Sequence, residues 1–208
     1  MLYRLGRYTT HRRDTMKTMR CRALVLLALL AAPVRPVTRL RYWIEPCSAS
    51  ASRCKPGDAE LATWALAAWQ NASNGRLTLQ SAPDLEHAHI RIHWGSGANG
   101  QYGETQPIDI MGVRGAEVYV LPTVVPASVG DSLLRDAVVY LTCLHESGHA
   151  LGLKHTADFA DIMYSFQYGG DISEYFARYR RELHARSDIR THAGISAGDR
   201  RQLLELYR

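Results

Sequence analysis

Alternating apolar and polar positions dominate the first half of the chain and predict β-strands there. The alternation has a period of two over four segments, which are 40–44, 76–80, 87–94 and 115–121. Two other segments carry apolar residues on a helical stripe: one starts at Asp58, which can cap it, and the other runs from Asp131 to about Leu151. We expect a mixed twisted sheet packed against two main helices, which is an α+β fold.

A glycine-rich segment, Gly95–Gly100, follows the third predicted strand and matches the GxGxxG pattern of dinucleotide-binding loops. The residues after it, Gln101–Pro107, cannot open the helix that such a site requires. We therefore interpret Gly95–Gly100 as a glycine-rich loop and not as a dinucleotide site. The strand that follows, at 116–121, is expected to lie at the edge of the sheet, where an extended peptide could pair with it.

The segment between Met163 and Ile195 predicts a further helix. Asp171 can cap this helix, with Glu174 as its capping-box partner. The apolar residues with helical period are Ile172, Tyr175, Phe176, Tyr179 and Leu183. Five arginines accompany them: Arg178, Arg180, Arg181, Arg186 and Arg190. They are interpreted either as a solvated face or as groups that attract acidic residues of a substrate.

Basic residues are concentrated at the amino-terminal end of the 208-residue chain, ahead of a short apolar run. Residues 1–34 hold seven of the 25 lysines and arginines and one of the 20 acidic residues, so the remainder is nearly neutral. A nearly neutral domain gives no electrostatic argument for a nucleic-acid partner. The apolar run, 23–32, has ten residues, which is too short to span a bilayer and is typical of a secretory signal.

We therefore predict a signal peptide at 1–33, with Met16 as an alternative start of translation, and a single domain at 34–208. The protein is expected to be secreted or otherwise extracytoplasmic (periplasmic or extracellular), without stable membrane insertion. The alternative interpretation of the apolar run is a buried helix in a cytosolic protein.

The predicted export bears on the redox state of the cysteines. Cys47 and Cys54 bracket a short polar loop, and an oxidising compartment favours a disulfide between them. Cys143 lies inside an apolar helical run and is expected to be a buried free thiol.

The second long helix carries the sequence His145-Glu-Ser-Gly-His-Ala-Leu-Gly-Leu-Lys-His155. His145 and His149 are four residues apart, so they lie on one helix face and can share one metal ion. Gly152 allows a sharp turn that would return His155 to the same ion. Three imidazoles with an open fourth position favour zinc, Zn²⁺. Glu146 lies beside the metal, where it can take a proton from metal-bound water.

These residues resemble the zinc motif of the metzincin metallopeptidases, and specifically of the matrixin branch (peptidase M10 type). Asp161–Tyr164 looks like the Met-turn of that family, with Met163 eight residues after the third histidine. Ile195–Tyr207 is similar to the matrixin C-terminal helix, with Ser196 able to cap it. The resemblance covers most of 37–208, and it is strongest in the last third. It implies a zincin-like, metzincin-like catalytic domain with an active-site helix, a Met-turn and a C-terminal helix.

The sequence also departs from the matrixin pattern. The loop rich in histidine and aspartate that holds structural zinc and calcium in matrixins is not recognisable between Gly95 and Gly115, so no structural ion is predicted. A second metal could bind three histidines on one strand face, although a solvated polar face is the simpler interpretation. These histidines are His87, His89 and His93. Ser165 stands where matrixins have a proline after the Met-turn.

The resemblance implies a secreted zinc-dependent metalloendopeptidase, a hydrolase that cleaves the peptide bonds of a protein or peptide substrate. Its metal ligands would be His145, His149 and His155, and Glu146 would act as the general base on zinc-bound water. Met163 would form a hydrophobic floor beneath the zinc without binding it.

The surroundings of this centre are expected to set its specificity. Tyr164 and Tyr168 are candidate donors to the oxyanion, with core or wall roles as the alternative. In matrixins the segment after the Met-turn walls the pocket for the residue just beyond the scissile bond, so the further helix is expected to reshape that pocket. Two other functions remain open: a narrow-specificity or self-processing metzincin, and a non-catalytic secreted zinc-binding module.

Overall fold

The computed structural model of this chain describes residues 36–47, 54–95, 102–110, 112–122 and 130–208. The predicted signal peptide, the residues between Cys47 and Cys54, and most of the glycine-rich loop lie outside these residues. From Arg35 to Arg208 the chain forms one unit. No described helix is both long enough and apolar enough to cross a membrane.

Within the described residues, five strands form one mixed sheet. They are β1 (Thr38–Ile44), β2 (Leu77–Ser81), β3 (Ile90–Trp94), β4 (Gly103–Ile110) and β5 (Val113–Val120). The strand order is β2-β1-β3-β5-β4, in which β4 runs antiparallel to β5 and every other pair is parallel. β4 therefore forms one edge of the sheet, and β2 forms the other.

Four α-helices accompany the sheet in the same described residues. They are α1 (Asp58–Ala72), α2 (Ser132–Ala150), α3 (Ile172–Arg181) and α4 (Ala197–Leu206), with short 3₁₀ turns at Phe166–Tyr168 and Arg186–Arg190. Together with the mixed sheet they confirm the predicted α+β class. The side chains of Asp171 and Ser196 cap α3 and α4 as predicted, because each accepts a hydrogen bond from a first-turn backbone N–H. Asp131, the predicted start of α2, caps that helix in the same way.

Two details of the helix starts differ from prediction. Gly57 occupies the cap position of α1, and Asp58 instead accepts hydrogen bonds from both terminal nitrogens of the Arg135 guanidinium. The carboxylate of Glu174 pairs with Arg181 and does not return to the backbone of the α3 cap.

One strand was not predicted, and one prediction about the sheet is wrong. No predicted strand corresponds to β4, and the predicted edge strand at 116–121 coincides with β5, which pairs on both sides. Gly103 and Pro107 weaken the strand signal in the sequence, but an edge strand tolerates both residue types. The open edge therefore belongs to β4.

The core forms where α1 and α2 pack against each other and against the sheet. Trp69 of α1 is fully buried, and its indole Nε1 donates to the backbone oxygen of Leu144 on α2 at 2.8 Å. The core side of β3 presents Ile90 and Ile92, while Arg91 and His93 point to the other face, as the alternation predicts. This packing fixes the position of α2, which carries the candidate site.

Both cysteine predictions are confirmed. Cys47 and Cys54 form a disulfide that joins the end of β1 to the start of α1. Cys143 is free and fully buried in α2.

Candidate metal centre and active-site cleft

Three histidines converge where α2 ends and the chain reverses direction. His145 and His149 lie one turn apart on α2. Immediately after the helix, Gly152 adopts a φ of 100°, a left-handed conformation that glycine reaches at little cost. The reversal returns His155 to the exposed face of α2, so that the three imidazoles are close enough to hold a metal ion.

The protonation of two of these rings follows from their hydrogen bonds. Nδ1 of His145 donates to the carbonyl oxygen of Ile162 at 2.6 Å, and Nδ1 of His149 donates to that of Leu153 at 3.0 Å. A carbonyl only accepts, so each Nδ1 carries the hydrogen and each Nε2 presents a lone pair. Such a backbone partner is what orients histidine ligands in metal sites.

The distances between the three Nε2 atoms fit a common ion. They are 3.1 Å for His145 and His149, 3.0 Å for His149 and His155, and 3.3 Å for His145 and His155. Nitrogen ligands at the usual zinc distance with tetrahedral angles are separated by about 3.3 Å. Lone pairs that face each other at this range repel, and a cation between them removes the repulsion.

Burial keeps these histidines neutral. Loss of hydration lowers the pKa of His145 and of His149 to about 4, and it also lowers the pKa of His155. Imidazoles with such pKa values are uncharged at pH 7, which is the form that binds metal. The described structure therefore presents three neutral nitrogen donors.

The histidines on and beside β3 are engaged elsewhere. Nε2 of His93 lies 2.6 Å from the carboxylate of Glu117, and His89 accepts a hydrogen bond from the backbone N–H of Arg41 at 3.0 Å. His87 pairs with Asp84 before the strand begins. Among the described residues, the His145–His149–His155 group is the one set of side chains with metal-binding geometry.

Met163 packs under the histidine-bearing turn of α2. Its side chain is fully buried, and a Cβ atom added to Gly148 would lie 2.5 Å from its Sδ and 3.0 Å from Cζ2 of Trp69. Glycine at this position of the helix therefore lets the methionine and the tryptophan approach its backbone. The predicted location of Met163 as an apolar floor agrees with this packing.

α4 anchors the loop that carries Met163. Asp199, fully buried, accepts hydrogen bonds from the backbone N–H groups of Ile162 at 2.8 Å and Met163 at 3.1 Å. The carbonyl of the same Ile162 orients His145. Asp199 of α4 thus holds the backbone of Ile162, and Ile162 in turn orients the ring of His145.

Glu146 lies beside the histidines with 7% of its surface exposed. Its Oε2 accepts a hydrogen bond from the hydroxyl of Thr105 on β4 at 2.7 Å. Burial raises the pKa of Glu146 above its ordinary value, and the like charge of Glu104 acts in the same direction. A carboxylate with a raised pKa is a stronger base than one in water.

A cavity of about 690 Å³ opens in front of Glu146 and the histidines. Its walls come from β4, α2 and α3, and its apolar lining includes Tyr102, Leu141, Phe166, Ile172, Tyr175 and Phe176. The rings of Tyr102 and Phe176 lie 5.1 Å apart and connect the β4 side to α3. The helix predicted after the Met-turn therefore forms one wall of this cavity.

The arginines around α3 have partners within the protein. Arg178 stacks over the ring of Tyr175 at 4.3 Å, Arg180 pairs with Asp131, and Arg186 pairs with Asp136. Arg181 pairs with Glu174, and Arg190 lies over the ring of Trp64. Among the described residues, no arginine lines the cavity, so the suggestion that these side chains attract acidic substrate residues finds no support.

The two candidate oxyanion donors differ in position. Tyr164 lines the cavity, but its hydroxyl donates to the carbonyl of Gly169 at 2.9 Å. Tyr168 is 57% exposed and lies outside the cavity lining. Tyr164 therefore has the wall role that the sequence left as an alternative.

Sequence reasoning did not identify Thr105, Tyr102 or Asp199 as parts of the site. The alternation of Gly103, Thr105 and Pro107 along β4 is too weak a strand signal to place Thr105 near α2. Asp199 could have been found from its spacing, because it follows Ser196 by three residues and completes a capping box.

In comparisons with known proteins, neither a family model nor a curated protein sequence matches this chain.

Proposed function

We propose that the protein is an exported zinc-dependent metalloendopeptidase that resembles the matrixin branch of the metzincins. One observation carries the proposal: the Nε2 atoms of three neutral histidines converge within 3.3 Å of one another, in a cavity that also holds the buried carboxylate of Glu146. The proposed ligands are His145, His149 and His155, and three neutral imidazoles with an open fourth position favour zinc. When bound, zinc supplies a Lewis acid that polarises a carbonyl group and acidifies water.

In the proposed reaction Glu146 moves the proton. Its carboxylate takes a proton from the water that attacks the peptide carbonyl carbon, and it then delivers this proton to the leaving nitrogen. The C–N bond breaks, and the products are a carboxylic acid and an amine. The burial of Glu146 raises its pKa, which makes the carboxylate a better proton acceptor in the first step.

The open edge of β4 supports an extended peptide as the substrate. The backbone N–H of Ala116 on β5 donates to the backbone oxygen of His89, just before β3, so the backbone groups of Ala116 point away from β4. Pro107 lies opposite Ala116 on β4, and its backbone nitrogen and oxygen therefore point away from β5, to the open edge. The same alternation turns the backbone groups of Gly103 and Thr105 outward. A peptide chain can therefore pair with β4 directly beside Glu146.

The cavity next to this edge suits an apolar side chain of the substrate. Leu141 of α2 and Ile172, Tyr175 and Phe176 of α3 give it an apolar part, and the histidines and Glu146 line the same cavity. A peptide on β4 could place one side chain into it.

Metal analysis and a diverse peptide library, applied to wild type and to Glu146→Gln, test the proposal. We expect one zinc per chain in both proteins and a loss of turnover of about 10²- to 10⁴-fold in the variant. Glu205→Gln, at an exposed position of α4, is the matched control and should retain full turnover. Replacement of His145, His149 or His155 by alanine should remove the zinc.

The same experiment separates the other candidate functions. Tight zinc binding without cleavage of any library member contradicts the endopeptidase and favours a non-catalytic zinc module. Cleavage of one narrow sequence, or of the chain itself, favours a specialised metzincin. Full activity in Glu146→Gln contradicts the proposed role of the carboxylate.

A further inference from the structure

We propose that Thr105, on the edge strand β4, is a positioning residue for the carboxylate of Glu146. The proposal rests on the function proposed above, because it takes Glu146 as the general base. It adds a residue on a different element of the fold, which the zinc motif does not contain.

The side chain of Glu146 lies against two residues on one face of β4. Gly103 and Thr105 are two apart, so they face the same side of the strand. A Cβ atom added to Gly103 would lie 2.6 Å from Cγ and 2.9 Å from Oε1 of Glu146. The missing side chain of Gly103 therefore leaves the room that the methylene groups of Glu146 occupy.

Thr105 supplies the polar contact. Its Oγ1 lies 2.7 Å from Oε2 of Glu146 and 2.9 Å from the backbone oxygen of the same residue. A hydroxyl has one hydrogen and donates to one of these acceptors at a time, and the bond to an ionised carboxylate is the stronger of the two. Among the described residues, no hydrogen bond reaches the other carboxylate oxygen, Oε1.

Fixing Oε2 restricts the last torsion of the glutamate side chain. The carboxylate plane then has one orientation, in which Oε1 is the oxygen left for proton transfer. Because a general base must lie within hydrogen-bond reach of the proton that it takes, a freely rotating carboxylate would be less often in a productive position. We infer that Thr105 raises the rate of the chemical step and leaves substrate affinity unchanged.

The position of Thr105 also couples the base to the substrate. The backbone groups of Thr105 face the open edge of β4, and its side chain donates a hydrogen bond to Glu146. A peptide that pairs at Thr105 is therefore held in register with the carboxylate that acts on it.

Three variants test this inference. Thr105→Val keeps the shape and removes the hydroxyl, and it should lower kcat about 10- to 100-fold while KM stays within about twofold. Thr105→Ser keeps the hydroxyl and should recover kcat to within about threefold of wild type. Thr63→Val, on α1, is the matched control because Thr63 also donates to a backbone carbonyl, that of Ala59, but lies away from the cavity. Thr105→Ala replaces the valine variant if that protein does not fold.

A second measurement does not depend on activity. In crystal structures of the metal-free proteins, Glu146 Oε2 should lie at hydrogen-bond distance from residue 105 in wild type and in Thr105→Ser, and the carboxylate should rotate away in Thr105→Val. An unchanged carboxylate in the valine variant, an unchanged kcat, or a serine variant as slow as the valine variant would each overturn the inference. If wild type cleaves no peptide, the proposed function fails, and the crystal structures still decide whether Thr105 orients Glu146.

Discussion

The side chain of Met163 packs against the backbone of Gly148, with no room for even a methyl group between them. Gly148 lies on α2 between His145 and His149, one residue before the second histidine. The contact therefore couples the packing of the loop that carries Met163 to the helical turn that carries two of the three candidate ligands.

Gly148→Ala should destabilise the protein and weaken metal binding. The added Cβ would lie 2.5 Å from Met163 Sδ, and overpacking of a rigid core costs about 1 to 3 kcal/mol of unfolding free energy. Urea unfolding and zinc titration with a competing chelator measure the two effects. Gly130→Ala is the control, since no atom lies within 4 Å of its added Cβ. Equal stability of the two variants would contradict the packing argument.

Asp199→Ala should weaken zinc binding although Asp199 is not a candidate ligand. Its carboxylate holds the backbone of Ile162, whose carbonyl orients the ring of His145. Loss of a group that orients a ligand typically reduces metal affinity about 10- to 100-fold. Competition with a chelator of known affinity measures the change, and Glu205→Ala on the exposed side of α4 is the control. An Asp199→Ala protein that is folded and binds zinc as tightly as wild type would refute the connection.

The buried pair of Asp58 and Arg135 should show strong coupling. The two side chains are 1% and 8% exposed, so removing Asp58 leaves a buried guanidinium whose remaining carboxylate partner is Asp136, at 3.5 Å. Asp58→Ala alone should cost about 3 to 5 kcal/mol of unfolding free energy, and Asp58→Ala with Arg135→Met should cost less than the sum of the single changes. A double-mutant cycle by urea unfolding measures the coupling, and strictly additive values would argue against it.

The metal-free protein should lose stability between pH 6.5 and pH 4. Burial lowers the pKa of His145 and His149 from 6.5 to about 4, so below pH 6.5 the unfolded chain binds more protons than the folded one. The stability that comes from keeping both rings neutral is complete above pH 6.5 and is lost as the pH falls through about 4. Urea midpoints of the chelator-treated protein, compared with His145→Gln/His149→Gln, measure this contribution. Identical pH dependence in the two proteins would contradict the prediction.

Cys143 should be unreactive in the folded protein, and Cys47 and Cys54 should be recovered as a disulfide. Burial raises the pKa of the Cys143 thiol, so in the folded protein iodoacetamide should leave it unmodified at pH 8, while urea should expose it. Peptide mapping without reductant should recover Cys47 linked to Cys54. Rapid labelling of Cys143 in the folded state, or its recovery in a disulfide, would contradict its burial in α2.

Local signals account for the parts of the fold that the sequence predicts correctly. The caps of α2, α3 and α4 each need a side chain and a backbone N–H only two or three residues apart, so spacing alone identifies them. The proximity of His145, His149 and His155 is local in the same way, because one helical turn and one glycine bring the rings together. The disulfide also closes a short segment.

Contacts between distant segments account for what was missed. Thr105 and Glu146 are 41 residues apart, and they meet because β4 lies at the edge beside α2, a placement that Gly103 and Pro107 conceal in the pattern. The arginines on and after α3 illustrate the same difficulty. Their partners, such as Asp131 and Asp136, are about 50 residues away, so the sequence shows the charges without the groups that neutralise them.

Pro107 interrupts the row of backbone donors along the open edge of β4. An exposed strand edge is a template on which other chains, including second copies of the same domain, can polymerise into a continuous sheet. The backbone nitrogen of Pro107 faces that edge and has no hydrogen to donate, so the ladder is interrupted after Thr105. A second copy of the domain that paired along the whole edge would lack the hydrogen bond at this position. Pro107 therefore acts against continuous sheet growth along β4, while Gly103 and Thr105 keep their backbone groups at the edge.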